Sequence, residues 1–148
     1  TNRFEKRGII HSVLEWPAPG QRLHAICVHL DLLERGRRKQ VAQIVRRLRS
    51  HVPEHEPVVV AGDFNDWTKS LSPILGHEAG LSEVFERLLG RPSRSFPAAF
   101  PALALDRIYV RGLVPDRVDL PSRRDWGRLS DHAPLAATLR LAGTAQSC

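Results

Sequence analysis

The spacing of apolar residues changes period several times along the chain, and each change predicts an element. Ile9, Ile10, Val13 and Leu14 form a short run that ends in Trp16-Pro17-Ala18-Pro19-Gly20, a cluster that reads as a turn. The next segment, Leu23-His24-Ala25-Ile26-Cys27-Val28-His29-Leu30, is almost continuously apolar. That pattern predicts a strand covered on both faces, paired in a hairpin with the run before it. From Asp31 to about His51 the spacing becomes helical, with Val41, Ile44, Val45 and Leu48 recurring on one side. Arg37, Arg38, Lys39, Arg46, Arg47 and Arg49 fill much of the remainder, and a solvated outer face explains them most simply.

Val58-Val59-Val60-Ala61 has the character of a short buried strand and runs straight into Gly62-Asp63-Phe64-Asn65-Asp66-Trp67, where the chain turns polar. Polar groups at the end of a buried strand are a common place for a site. A loop containing Ser70, Ser72 and Pro73 follows, then a helical stretch around Leu81 to Leu89 and a Pro-rich loop from Arg91 to Pro101. Leu105 to Val110 and Val114 to Leu120 read as strands joined through Arg111-Gly112-Leu113, and Ala133 to Leu141 reads as the last strand. Strands outnumber helices, and one long helix can cover a sheet face. The expected class is therefore α/β (α+β), a layered mixed domain over residues 1–141 with a tail at 142–148.

Composition narrows the partners more than the fold. With 148 residues, 42% apolar and 26% charged, the chain suits one compact domain and not a disordered segment. No run approaches the roughly 18 apolar residues of a membrane span, and the first residues lack the apolar centre of a signal peptide. A soluble protein with the cytoplasm as default compartment is the expectation. The absence of methionine and the start at Thr1 predict that the native chain begins elsewhere. Two cysteines make no disulfide framework; Cys27 is expected in the core and Cys148 exposed. The formal charge of +6 favours anionic partners without choosing among nucleic acid, phosphorylated metabolites and lipid headgroups.

Four places put acid, amide or imidazole groups at strand ends: His29; Asp63 with Asn65; Asp106; and Asp131 with His132. Singly each has a plain structural explanation, such as a turn cap or a satisfied core histidine. Together they suggest more. Residues i and i+2 of an extended segment point the same way, so Asp63 and Asn65 can share one target, and a carboxylate with a carboxamide suits a hard cation or a phosphoryl oxygen. Adjacent Asp131 and His132 diverge if extended and would serve different atoms. Asp106 could orient His132, fixing its tautomer and stabilising the imidazolium.

Gly62-Asp63-Phe64-Asn65-Asp66-Trp67, Leu105-Asp106-Arg107-Ile108-Tyr109-Val110 and Leu129-Ser130-Asp131-His132-Ala133-Pro134-Leu135 resemble three ordered motifs of the endonuclease/exonuclease/phosphatase superfamily. Val28-His29-Leu30-Asp31, with Arg38 and Gln40 trailing it, is similar to a fourth, and the likeness spans about residues 5 to 141. The resemblance implies half of a four-layer α/β/β/α sandwich of mainly antiparallel mixed sheets. It also implies in-line attack of water on phosphorus, assisted by Mg²⁺ or alternatively Mn²⁺. Carried over by position, His132 would be the general base oriented by Asp106. Asp131 and Asp63 would lie on the metal side, Asp63 and Asn65 would position the nucleophile and hold a phosphoryl oxygen, and His29 would stabilise phosphoryl charge or assist the leaving group. How Asp63 and His132 divide the proton transfer stays open.

One departure matters. Superfamily members place an asparagine and a metal-binding glutamate on strands ahead of the segment that matches Glu5-Lys6-Arg7-Gly8, and neither motif occurs in this sequence. The expectation is a fragment, a partner chain carrying the missing N-terminal half, or self-association through an open apolar face. His29 disfavours the apurinic endonucleases that carry a tyrosine there, and Ser95-Phe96-Pro97 with the following Asp106-Arg107-Ile108 resembles a bacterial branch of uncharacterised, nuclease-like or lipid-operon-associated members, which leaves the substrate open. The leading expectation is a phosphodiesterase acting on nucleic acid. A phosphatase or lipid phosphodiesterase, and a truncated non-catalytic binding module, are the alternatives. Trp67, Trp126 and Phe100 could stack on bases, with ordinary packing the plainer explanation.

Overall fold

A computed structural model of the chain describes residues 7–120 and 129–143. Seven strands and three helices succeed one another in these residues: β1 (Gly8–Glu15), β2 (Arg22–His29), α1 (Glu34–His51), β3 (Val58–Asp63), α2 (Ser72–Ala79), β4 (Ser82–Glu83), α3 (Val84–Leu89), β5 (Asp106–Arg111), β6 (Leu113–Asp119) and β7 (Ala136–Leu141). Five strands form one sheet in the order β1-β2-β3-β5-β4, and β6 pairs with β7 in a second. All neighbouring pairs are antiparallel except β2 with β3. That parallel pair needs a crossover, and α1 supplies it. The class is mixed α/β with a mainly antiparallel sheet, as expected.

The apolar periodicity of α1 finds its partner directly. Val41, Ile44, Val45 and Leu48 are all buried and pack on Ile26, Val28, Val58 and Val60 of the sheet. Arg37 departs from the solvated face predicted for the arginines. It is buried, donates through Nη1 to the Leu32 carbonyl at 2.5 Å, and lies 5.1 Å from the Trp67 ring centroid. His24 is a satisfied core histidine, held between Glu56 Oε2 at 2.5 Å and His11 Nε2 at 2.9 Å.

Three expectations need correction. The apolar segment that forms β2 is fully covered on one face only: Ile26 and Val28 are buried, whereas on the other face Leu23 is part-buried and Cys27, expected in the core, is exposed. Its apolar run is a property of the sequence, but what covers the second face must come from elsewhere in a fold. Of the presumed loop, Ser70 lies ahead of the helix as expected, but Ser72 and Pro73 are the start of α2. Pro73 suits a first helical turn, where its missing N–H is no loss. Buried Asp66 accepts from the backbone N–H of Ser70 at 3.1 Å and of Leu71 at 2.8 Å just before it. Finally, the stretch from Leu81 opens with the short strand β4 before α3 begins at Val84.

The register places the polar strand ends in one line. His29 pairs with Asp63 across β2 and β3, and Asp63 with Asp106 across β3 and β5. These residues share a face with Cys27, Ala61 and Ile108, the face turned away from α1. Sheet β6-β7 covers part of that face, packing near Leu23, Val59, Ile108 and Val110. Ile10 and Leu14 of β1 stay exposed, at 67% and 47%. No described helix is long and apolar enough to cross a membrane.

Candidate active site

Asp63 reaches the site because Gly62 lets β3 press on β2. Gly62 has φ of +137°, and a Cβ there would lie 2.0 Å from the Val28 carbonyl oxygen. Only glycine tolerates both the backbone angle and the contact. The Asp63 carbonyl then accepts from Leu30 N at 2.8 Å, which locks the two strand ends together.

Asn65 does not continue the strand. Its φ of 50° is left-handed, a conformation that asparagine tolerates better than most residues, and the chain turns back on itself. Its N–H donates to Asp63 Oδ1 at 2.8 Å, while Nδ2 donates to Asp63 Oδ2 at 3.2 Å and to the Leu30 carbonyl at 3.0 Å. The structure thus brings Asp63 and Asn65 together as acceptor and donor through a turn, not side by side on an extended segment. Because all these partners are acceptors, the amide nitrogen is placed without ambiguity, and Oδ1 is the atom of Asn65 left to accept from a further group.

His29 Nε2 lies 3.4 Å from Asp63 Oδ2, with 43% of the His29 side chain exposed. On the other side of the row, His132 Nδ1 donates to Asp106 Oδ2 at 2.7 Å. That bond fixes the neutral tautomer and leaves Nε2 outward, available to take or give a proton. Asp131, next along the chain, is exposed. Trp67 is half exposed over Arg37, and Phe100 is well exposed; Trp126 lies outside the described residues.

A residue that sequence reasoning missed holds the pair in place. Ser95 is fully buried; its Oγ accepts from Asp106 N at 3.2 Å and its carbonyl accepts from Ala133 N at 2.7 Å. One residue therefore fixes both the carboxylate strand and the histidine loop. Phe96 adds its ring 5.0 Å from that of His132. Nothing in the chemistry of a lone serine in a Pro-rich loop marks it, since its partners are brought in only by folding.

The electrostatics of the row are uneven. Burial is the main influence on Asp63 and raises its pKa, reinforced by the charge of Asp106 and opposed by the Asn65 N–H and by His132 and His29. Burial works against the His132 cation, but the Asp106 hydrogen bond and charge, with Asp63 and Asp131, outweigh it and hold the imidazole above its ordinary value. A perturbed acid and a perturbed imidazole gathered at one strand edge, Asp63 and His132, mark the row as a candidate reactive site.

Among the described residues no group of three or more His, Cys, Asp or Glu is arranged to hold a metal ion. The Asp63 carboxylate is engaged by Asn65 and His29, and Asp131 is exposed. These two acids alone do not compose the oxygen cage that a hard cation requires.

Residues 3–132 match the Endonuclease/Exonuclease/phosphatase family. The chain belongs to that family. Endonuclease/Exonuclease/phosphatase proteins are phosphoester hydrolases, and the row built by β2, β3, β5 and the His132 loop sits within the matched span. The chain is 44% identical over 137 residues to Uncharacterized protein YbhP of Escherichia coli K12, an alignment covering 93% of this chain and 54% of that protein. A humanized D. rerio TDP2 superimposes with a TM-score of 0.73 at 25% identity, covering 90% of this chain and 61% of the other. D. rerio TDP2 complexed with a single-strand DNA product shares the fold at the same TM-score and 23% identity, covering 90% and 62%. The chain spans about half the length of the curated YbhP relative.

Proposed function

We propose that the complete protein containing this chain is a divalent-metal-dependent phosphodiesterase that cleaves nucleic acid by in-line attack of water. The observation that carries the reading is the 2.7 Å Asp106–His132 bond at the end of a row that also holds His29, Asp63 and Asn65. A phosphodiester and its attacking water need a proton acceptor, a group to orient the water and positive charge at the phosphoryl oxygens. His132 Nε2 accepts the proton, and Asp106 steadies the resulting imidazolium. Asn65 Oδ1 accepts from the attacking water, a role that its bonding pattern suits better than donation to a phosphoryl oxygen. His29, partly exposed beside Asp63, supplies a donor to the phosphoryl group. The cation draws on ligands beyond those described in this chain, and no step above depends on its geometry.

The deciding experiment is cleavage of plasmid and single-stranded DNA by the complete protein with Mg²⁺, beside the His132→Ala variant. Cleavage that falls on the order of 10²–10⁴-fold in the variant supports the reading. Release of phosphate from monoesters with DNA left intact would replace it with a phosphatase. Ligand binding without turnover, unchanged in the variant, would make the protein a binding module.

A further inference from the structure

A second concavity opens beside the catalytic row, and its chemistry is unlike that of the row itself. It encloses about 760 Å³ and is lined by Trp67, Lys69, Arg91 and Arg94, with Ala104 and Ala133 at the end nearest the site. Trp67 stands two residues after Asn65, Ala104 two before Asp106, and Ala133 directly after His132. Two residues of chain reach at most about 7 Å, so the groove opens at the reacting centre.

We infer that this groove is the subsite for the single strand flanking the scissile phosphodiester, taking a backbone phosphate on Arg91 and Arg94 and a base on Trp67. The inference rests on the proposed function and adds the form of the substrate. Among the described residues no acid lines the groove. Lys69 is paired with Glu86 at 3.4 Å, but Arg91 and Arg94 are exposed and have no acidic partner among the described residues. Unpaired guanidinium groups beside a phosphoester site offer their charge to a second anion, and their planar forks suit phosphate. A simple monoester or a monophosphorylated headgroup has no second phosphate to place there.

Trp67 points to a strand and not a duplex. The residue is 51% exposed, yet the buried Arg37 guanidinium sits 5.1 Å from its ring centroid and is itself anchored on the Leu32 carbonyl. An aromatic surface held in place beside a basic groove is the arrangement that binds unpaired bases irrespective of sequence. Bases inside a duplex are already stacked and cannot use it.

The test uses the complete protein and fluorescein-labelled oligothymidylates, a dinucleotide and a 20-mer. Wild type should show a KM that falls with length, and Arg91→Ala/Arg94→Ala should remove most of that gain. The slope of log kcat/KM against log salt should fall by about 0.7 for each arginine lost. Trp67→Ala should raise KM for the 20-mer roughly 5-fold or more, with Trp67→Phe recovering much of it. Arg49→Ala, a charge change outside the groove, should keep the wild-type length dependence and salt slope. A double variant that keeps both overturns the inference. If the complete protein cleaves no oligonucleotide, the proposed function falls by itself. The groove is then judged by anisotropy of the bound 20-mer: weakening in the double variant supports it, and absent or unchanged binding overturns it.

Discussion

At the scale of single residues, the Asp106–His132 pair ties activity to pH in a definite direction. His132 has a folded pKa above its ordinary 6.5. Its pairing with Asp106 therefore stabilises the fold fully below that value and the contribution is lost as pH rises through the raised pKa. Asp106→Asn should cost more stability at pH 6 than at pH 8.5, measured as the difference in melting midpoint from wild type. If His132 acts as base, kcat/KM should rise along an acid limb lying above 6.5, and Asp106→Asn should move that limb down while lowering activity. In Asp63 folding disfavours the charged form: burial raises its pKa, so between the unfolded and folded pKa values the folded state holds a proton that the unfolded state has released. Stability falls as pH climbs through that window. Asp63→Asn should therefore raise the melting midpoint at pH 7, a gain that shrinks on acidification, while abolishing most turnover. Residue types at these positions were legible from sequence. The donor role of Asn65 and the clamp at Ser95 were not, because both depend on a turn and a loop whose partners lie far along the chain.

At the scale of elements, the site is as good as the strand ends that present it. Gly62→Ala places a methyl against the Val28 carbonyl at a backbone angle that alanine avoids. A loss of about 3 kcal/mol or more is expected in denaturant unfolding. Helix α1 was readable from its spacing because Val41, Ile44, Val45 and Leu48 all meet one sheet face; Leu48→Ala should cost about 2–5 kcal/mol. The helix α2 was missed because its signal is not periodic but local, a proline in the first turn after an aspartate that gathers the preceding N–H groups. Arg37 was misplaced for a related reason. Helical spacing counts charge as solvent-facing, whereas the folded chain offers this guanidinium carbonyl oxygens and an indole ring.

For the molecule as a whole, the informative feature is an apolar sheet face with cover at one side only. Sheet β6-β7 packs over the β3 and β5 part, and Ile10, Leu14 and Cys27 on β1 and β2 are left exposed. Exposed apolar rows of this kind mark a contact surface. With Cys148 changed to serine, Cys27 in the isolated 148-residue chain should react readily with a thiol reagent and be protected in the complete protein. Equal reactivity in both would mean that the rest of the protein does not cover this face. Ile10→Ser/Leu14→Ser should likewise reduce any concentration-dependent association of the isolated chain in sedimentation velocity.

The sequence by itself determined the α/β class, most element positions, and the family, because periodicity and short motifs are local properties and survive without neighbours. Tertiary structure decided which face of β2 is buried, how His29, Asp63 and Asp106 fall into one row, and how Ser95 binds the His132 loop to β5. It also decided that a basic, aromatic groove adjoins that row. Those are facts of register and long-range contact. No window of sequence contains both partners, so only the packed chain can bring them within reach of one another.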